Sequence, residues 1–397
     1  MLQMIILFSF VIVPALCSPV DQWMQTLGEL PKEINNNNTI NSETDYLNYN
    51  KLVLSFVVFR HGDRTPDQME LDKYPSQQFN DSIFYPFGKK ALTNKGKERA
   101  FLVGEYLRKR YNDTISQLYL PDEISVRTTD YARTKMTALI ALAAMYPPQA
   151  IQRWNTKLNW QPIPYDTMAW KNDDLLHFNN CPRYEELKNK IYELPALRTV
   201  ISSYENLFEV LSAKTGATIK TPENVFFLDN LFQTLNNTGV SLPQWVDNLM
   251  PKIKEMTKIE YLCLFYNNEL IRLSGGVLMA EIIEAIDAAI AGNEEQVKLR
   301  LYSGHENNVA ALLAAARVFK PHQPKYGSTV SLESRKNVKT GKYGIMVVYA
   351  AEAGGPGVVL PIEGCGGKPI CDYETFLTLT RDVLLSRSEY NKQCLTP

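Results

Sequence analysis

The sequence predicts an α/β protein: a mainly parallel sheet covered by helices on both faces, carrying a mainly helical cap insertion. Three observations predict it. Short apolar strand-like runs alternate with helical stretches along the chain. The run Leu52-Val-Leu-Ser-Phe-Val-Val-Phe59 is continuous and β-branched-rich, as in a strand buried on both faces. Between about 160 and 265, helical stretches dominate and no buried strand pattern appears.

The elements follow in order. Residues 1–17 read as a secretory signal, because Ile5 to Leu16 is apolar, uncharged and too short to span a bilayer. Cleavage is expected near Cys17 or Ser18. Residues 18–50 are polar and Asn-rich, a loose lead-in. The strand at 52–59 opens an α/β core of 51–159 and 266–397. A helix is expected over 93–111, with Phe101, Leu102, Tyr106 and Leu107 on its buried face. Glu123 to Val126 forms a second strand, and 131–146 a helix ended by Pro147-Pro148. The cap spans 160–265, with helices at 183–194, 196–213, 223–237 and 242–260. Val297 to Tyr302 is a third strand, Asn308 to Phe319 a helix, and Gly344 to Ala350 a fourth strand.

Composition narrows the function. The 397 residues are 45% hydrophobic and 21% charged, an ordinary globular balance. With 42 Lys plus Arg against 43 Asp plus Glu, no basic excess supports nucleic-acid binding. After the signal no apolar run approaches a membrane span, so no membrane anchor is expected. Asn-x-Ser/Thr sequons at Asn37, Asn80, Asn112 and Asn236 favour glycosylation and secretion, with the lysosomal lumen as the alternative destination. Four histidines and no CxxC leave no metal cluster, and no cofactor is called for. Loss of Cys17 leaves five cysteines, an odd number. Cys365 and Cys371 suit a local disulfide in a Gly/Pro-rich loop. Cys263, in an apolar setting, is the candidate free thiol.

Chemistry concentrates at strand ends. The first strand runs into Arg60-His61-Gly62-Asp63-Arg64-Thr65-Pro66, the second ends at Arg127, and the third ends in Gly304-His305-Glu306. In open α/β sheets ligands bind at that edge. Forked guanidiniums match phosphate oxygens. A neutral imidazole can attack phosphorus, and a carboxylic acid can protonate the leaving alcohol. The economical reading is a phosphate site, with one histidine attacking phosphorus and the other groups clamping the dianion.

Here the chain resembles the histidine acid phosphatases. Arg60 to Pro66 is similar to their RHGxRxP signature. Arg127-Thr-Thr-Asp-Tyr-Ala-Arg-Thr-Lys-Met136 is similar to their RSTDxxRTxMSA segment. Gly304-His305-Glu306 falls where they carry a second His followed by Asp. The likeness covers most of 52–394 and is nearest the prostatic, lysosomal and insect venom enzymes. It implies a phosphoglycerate-mutase-like fold, phosphate monoester substrates and often a homodimer. It implies His61 as nucleophile, phosphate binding by Arg60, Arg64, Arg127 and His305, and disulfides Cys181–Cys394 and Cys365–Cys371. The departure is Glu306 in place of Asp, which lengthens the proton donor by one methylene. Asp63 is the backup carboxylate. Residues weighed as bland are His177 and His322, read as surface or cap histidines, and Arg133, read as a carboxylate partner. The tryptophans 154, 160 and 170 are expected at the pocket mouth or buried in the domain interface.

Overall fold

The computed structural model describes residues 50–395 except 77, 78, 80 and 293–296. The signal segment, the lead-in up to residue 49, Cys17, Asn37 and Asn80 lie outside the described residues.

The sheet is built on β1 (Asn50–Arg60). Its side chains alternate between two cores, as a pleated strand requires. Leu54, Phe56 and Val58 face one hydrophobic cluster, while Val57 and Phe59 face another. The second cluster is closed by α2 (Asn94–Arg110), reached through the short α1 (Gln68–Leu71), and by α3 (Ala132–Met145), which follows β2 (Ile124–Thr128). The first holds the helices of the expected cap: α4 (Pro182–Tyr192), α5 (Pro195–Ser202), α6 (Glu205–Thr215), α7 (Pro222–Asn237) and α8 (Gln244–Leu264), after the edge strand β3 (Asp166–Thr167). It continues through α9 (Asn268–Ile290) and α10 (Glu306–Ala315), which flank β4 (Leu299–Gly304). The chain closes with β5 (Thr329–Asn337), β6 (Tyr343–Ala350), β7 (Val358–Leu360), β8 (Cys371–Asp372), α11 (Tyr373–Thr380) and α12 (Arg387–Leu395).

Strand order is β3-β2-β4-β1-β5-β6-β7, with β8 on β6. Strands β3, β2, β4 and β1 are parallel, and β5 to β8 add antiparallel pairs. Arg60 pairs with Gly304 in register, and Thr128 with Ser303. The three strand ends singled out by the sequence therefore lie side by side.

Three differences from the sequence reading have physical causes. The expected 196–213 helix is two helices, broken at Ser203-Tyr204. Strand β5 is absent from the reading because Ser331, Glu333 and Ser334 interrupt its apolar pattern, yet all three are buried. Glu333 is fully buried because Arg110 and Arg335 flank it. Helix α2 is rotated: Phe101 and Leu102 are exposed, while Ala100, Val103, Gly104 and Leu107 are buried. Gly104 causes this, since a Cβ there would meet the Ala141 carbonyl oxygen of α3 at 2.2 Å.

Two disulfides form, Cys181–Cys394 and Cys365–Cys371, and Cys263 is a buried free thiol. No helix among the described residues is long and apolar enough to cross a membrane. Trp154 and Trp170 are exposed.

Gly62, the residue after His61, packs backbone to backbone on the first turn of α2. A Cβ on Gly62 would lie 2.0 Å from the Gly96 carbonyl oxygen. Gly62→Ala is expected to destabilise the fold by about 1–3 kcal/mol, the usual cost of overpacking. The urea midpoint reads this, and an unchanged midpoint would show that the turn moves freely.

Candidate active site

At the end of β1 the chain leaves the sheet while still bonded to its neighbours. The His61 N–H donates to the Gly304 carbonyl at 3.0 Å, and the Gly327 N–H donates to the His61 carbonyl at 3.3 Å. The ring of His61 is buried. Its Nδ1 lies 2.7 Å from the Gly62 carbonyl oxygen. A carbonyl only accepts, so Nδ1 carries the proton. Nε2 then presents a lone pair, and Arg133 Nε donates to it at 3.1 Å. Burial holds the imidazole well below its usual pKa, with the charges of Arg133, His305, Arg60 and Arg64 adding to it. His61 is therefore neutral with Nε2 unprotonated, the form a nucleophile needs.

His305 stands 5.4 Å from His61, ring centre to ring centre. It caps α10, with its N–H on Asn308 Oδ1 at 2.9 Å. Arg133 Nη2 reaches Nδ1 at 3.4 Å, so Nδ1 accepts and Nε2 donates to Thr129 Oγ1 at 2.9 Å. Burial, then Arg133, keeps this imidazole neutral too.

Three buried guanidiniums surround the pair. Arg60 Nη1 donates to the Pro324 carbonyl at 2.7 Å, and its plane lies 3.8 Å over the Tyr326 ring. Arg60 Nε is 2.9 Å from Glu306 Oε2, although its N–H is not aimed for a hydrogen bond. Arg64 is held by both oxygens of Glu70, at 2.8 and 2.5 Å. Glu70 closes a capping box with Asp67 at the start of α1, which fixes its position. Arg60 Nε and Nη2 and Arg64 Nε are buried with no hydrogen-bond acceptor among the described residues. Among the described residues Arg133 forms no ion pair with a carboxylate; burial, then the Arg64 charge, pulls its guanidinium down to about 10. Buried donors without acceptors, around two neutral imidazoles, form a receptor for a compact anion.

Glu306 sits at the first turn of α10. Burial alone would raise its pKa, but the charges of Arg60, Arg64 and Arg133 outweigh burial and hold it below the usual range.

Arg60, His61, Arg64, His305 and Glu306 are thus brought together. Arg127 is not. Along β2 the side chains alternate, and Arg127 lies on the face opposite Val126 and Thr128. Its guanidinium is bound to Asp173 at 2.6 Å instead. Its place in the cluster is taken by Arg133, in the first turn of the helix that follows β2. The reading of Arg133 as a carboxylate partner is corrected accordingly. A signal was present: helices that follow parallel strands start at the ligand edge, and Arg133 interrupts an Ala/Leu helix there. Asp63 is buried against Arg99 and Thr93, facing α2, and is held as a structural carboxylate. His177 is no bland cap residue either, since its ring centre lies 5.9 Å from that of His305. His322 binds Tyr349 at 2.8 Å and lines a cavity of about 380 Å³ with Lys258, Gln323 and Tyr326 beside the cluster. Asn112 and Asn236 are both exposed. Among the described residues, no group of three or more His, Cys, Asp or Glu is placed to hold a metal ion.

Fold and site together define an α/β enzyme with a histidine- and arginine-lined anion pocket at the carboxyl ends of parallel strands. Residues 51–344 match the histidine phosphatase superfamily (branch 2), and the chain belongs to that family. It is a phosphoric monoester hydrolase by class. It is 31% identical to venom acid phosphatase Acph-1 of Apis mellifera over 336 residues, covering 84% of this chain and 85% of that one. It is 31% identical to human prostatic acid phosphatase over 354 residues (86% and 88% covered) and 30% identical to human lysosomal acid phosphatase over 347 (85% and 79%). Among solved structures, Hafnia alvei phytase in complex with tartrate superposes with a TM-score of 0.62 at 16% identity, covering 85% of this chain and 98% of that one. This last likeness shows a shared fold.

The two arginines are separable by experiment. Arg133→Ala should raise the inhibition constant of inorganic phosphate by about 30-fold, the loss of a charge-assisted pair of hydrogen bonds. Arg127→Ala should change it by less than about threefold. The reverse order would return Arg127 to the pocket.

Proposed function

We propose that the protein is an acid phosphatase that hydrolyses phosphate monoesters through a covalent phosphohistidine on His61. The observation that carries this reading is the pairing of a neutral His61, its Nε2 lone pair facing Arg133, with buried guanidinium donors that lack acceptors. Arg60, Arg64 and Arg133 bind the phosphate oxygens, and His305 completes the clamp by changing tautomer as Arg133 turns to the phosphate: Nδ1–H then donates to an oxygen and Nε2 accepts from the Thr129 hydroxyl.

The dianion enters between the guanidiniums, and His61 Nε2 attacks phosphorus. The N–P bond forms as the ester P–O bond breaks, and the arginines stabilise the charge on the equatorial oxygens. Glu306 delivers its proton to the leaving oxygen. Water then attacks the phosphohistidine, Glu306 takes a proton from it, the N–P bond breaks and phosphate leaves.

The charge states set the pH dependence. In the free site the arginines keep Glu306 ionised. A bound dianion offsets those charges and raises the proton affinity of Glu306. Turnover therefore falls as pH rises and Glu306 loses its proton. On the acid side it falls only when His61 protonates, below the usual histidine range because burial depresses that pKa.

The likeness to venom, prostatic and lysosomal enzymes, the signal segment and the sequons support a glycosylated protein routed to the secretory pathway. Secretion is the proposed destination, with the lysosomal lumen as the alternative. A homodimer is also proposed. Exposed Ile151, Trp154, Leu158 and Trp170 flank edge strand β3 in sequence and offer an apolar contact surface.

The test is a pH series with para-nitrophenyl phosphate and glycerol 2-phosphate, with a metal chelator present. Turnover should persist, run best at acid pH and vanish in His61→Ala. Glu306→Gln should cost on the order of 10²-fold with glycerol 2-phosphate. It should cost less with para-nitrophenyl phosphate, whose leaving group departs without a proton. Unimpaired turnover by His61→Ala would overturn the phosphohistidine.

A further inference from the structure

His61, His305 and His177 stand in a row, with ring centres 5.4 Å and 5.9 Å apart at successive steps. The first two have partners at both ring nitrogens. His177 does not: its Nε2 is buried and has no hydrogen-bond partner among the described residues. The Tyr131 ring, which carries the Arg133 guanidinium on its face, packs 5.7 Å away on another side. Buried polar atoms are nearly always paired, so such an atom next to a substrate pocket calls for an explanation.

Slack in the loop is not the explanation, because the loop is tied on both sides of His177. Arg127 Nη2 binds Asp173 Oδ1 at 2.6 Å, and the same oxygen accepts the N–H groups of Leu175 and Leu176 at 3.1 and 3.0 Å. Asn308 Nδ2 donates to the Leu176 carbonyl at 2.7 Å, joining the loop to the helix turn that holds His305. Four residues beyond His177, Cys181 is bonded to Cys394. A side chain held so firmly with an unused polar atom has the character of a preorganised binding group.

We propose that His177 is a specificity-determining residue of this pocket: it hydrogen-bonds the alcohol part of the substrate and favours phosphate esters of polyhydroxy alcohols over aryl phosphates. The proposal rests on the phosphatase reading and deepens it. The arginines and His305 use the phosphate oxygens, so the next imidazole outward meets the group attached to them. Burial lowers the pKa of His177 despite the opposing charges of Asp173 and Asp130, so it meets that group as a neutral hydrogen-bonding ring. A hydroxyl on the carbon adjacent to the one that bears the ester oxygen both donates and accepts, and satisfies Nε2 in either tautomer. A nitrophenyl ring offers nothing at that position. Arg127 and Asp173 then act as positioning residues for His177.

The experiment compares wild type, His177→Ala and His177→Gln on glycerol 2-phosphate and para-nitrophenyl phosphate, with inorganic phosphate as inhibitor. The ratio of kcat/KM for glycerol 2-phosphate over para-nitrophenyl phosphate should fall about tenfold in His177→Ala, the usual worth of one hydrogen bond. The fall should lie in KM rather than kcat, and His177→Gln should recover part of it. The inhibition constant of phosphate, which reads the arginines, should move less than the ratio. Equal losses on both substrates would make His177 structural and overturn the proposal. An unchanged ratio would overturn it too, and would send the alcohol toward the Lys258 side of the cluster. A wild type that turns over neither ester would overturn the phosphatase reading itself, and this assignment with it.

Discussion

Everything at this sheet edge depends on buried positive charge that the protein only partly neutralises. Arg60, Arg64 and Arg133 are all buried, and the carboxylates among them are Glu70 and Glu306. Each charge taken out of water costs several kcal/mol unless it is paired. Glu70 settles that account for Arg64 with a bidentate bond. Arg133 is left with imidazole nitrogens and the face of Tyr131. A site assembled for stability alone would place a third carboxylate there. The missing acceptor is what an incoming dianion supplies, so binding gains what folding gave up. The sheet and its two cores bear this cost, consistent with strain collecting at functional sites.

That one constraint also sets the proton positions. Burial keeps extra protons off both imidazoles, and the neighbouring guanidiniums reinforce the effect. The Gly62 carbonyl then decides which His61 nitrogen keeps its hydrogen. A short backbone contact thereby selects the reactive atom. The Gly62-Asp63 turn can sit there only because Gly96 also lacks a Cβ, which would meet the Asp63 carbonyl oxygen at 2.1 Å. Packing between β1 and α2 and the chemistry of His61 are one arrangement seen at two scales.

Much of this was legible in the sequence. The motif from Arg60 to Pro66 and the pair His305-Glu306 follow apolar runs, so strand geometry alone places them at one edge. Arg127 misled the reading because a basic residue at a strand end resembles a ligand group. Side-chain alternation along β2 turns it to the wrong face, and only three-dimensional placement reveals Asp173 as its partner. Arg133 and His177 were harder to see. One enters from a helix whose first turn faces the edge. The other enters from a loop whose course is set by a disulfide spanning 213 residues and by Asn308. Strand β5 was hidden for a similar reason: Glu333 reads as solvent-facing until Arg110 and Arg335 come in from distant parts of the chain. Local patterns record local rules, and these residues are fixed by partners far away in sequence.

Glu306 shows why the charge pattern matters for turnover as well as for binding. Among the guanidiniums it is ionised and helps balance Arg60. Once a dianion occupies the arginines, the balance no longer needs the carboxylate, and a proton becomes easier to hold. In the proposed mechanism the group is thus readied as an acid by the substrate, and it returns to a base when the alcohol has gone. A glutamate reaches further than an aspartate by one methylene, and the Arg60 ion pair gives that longer arm a fixed starting point. In that proposed mechanism, charge deficit, substrate binding and proton delivery are successive consequences of burying more guanidiniums than carboxylates at the end of β1.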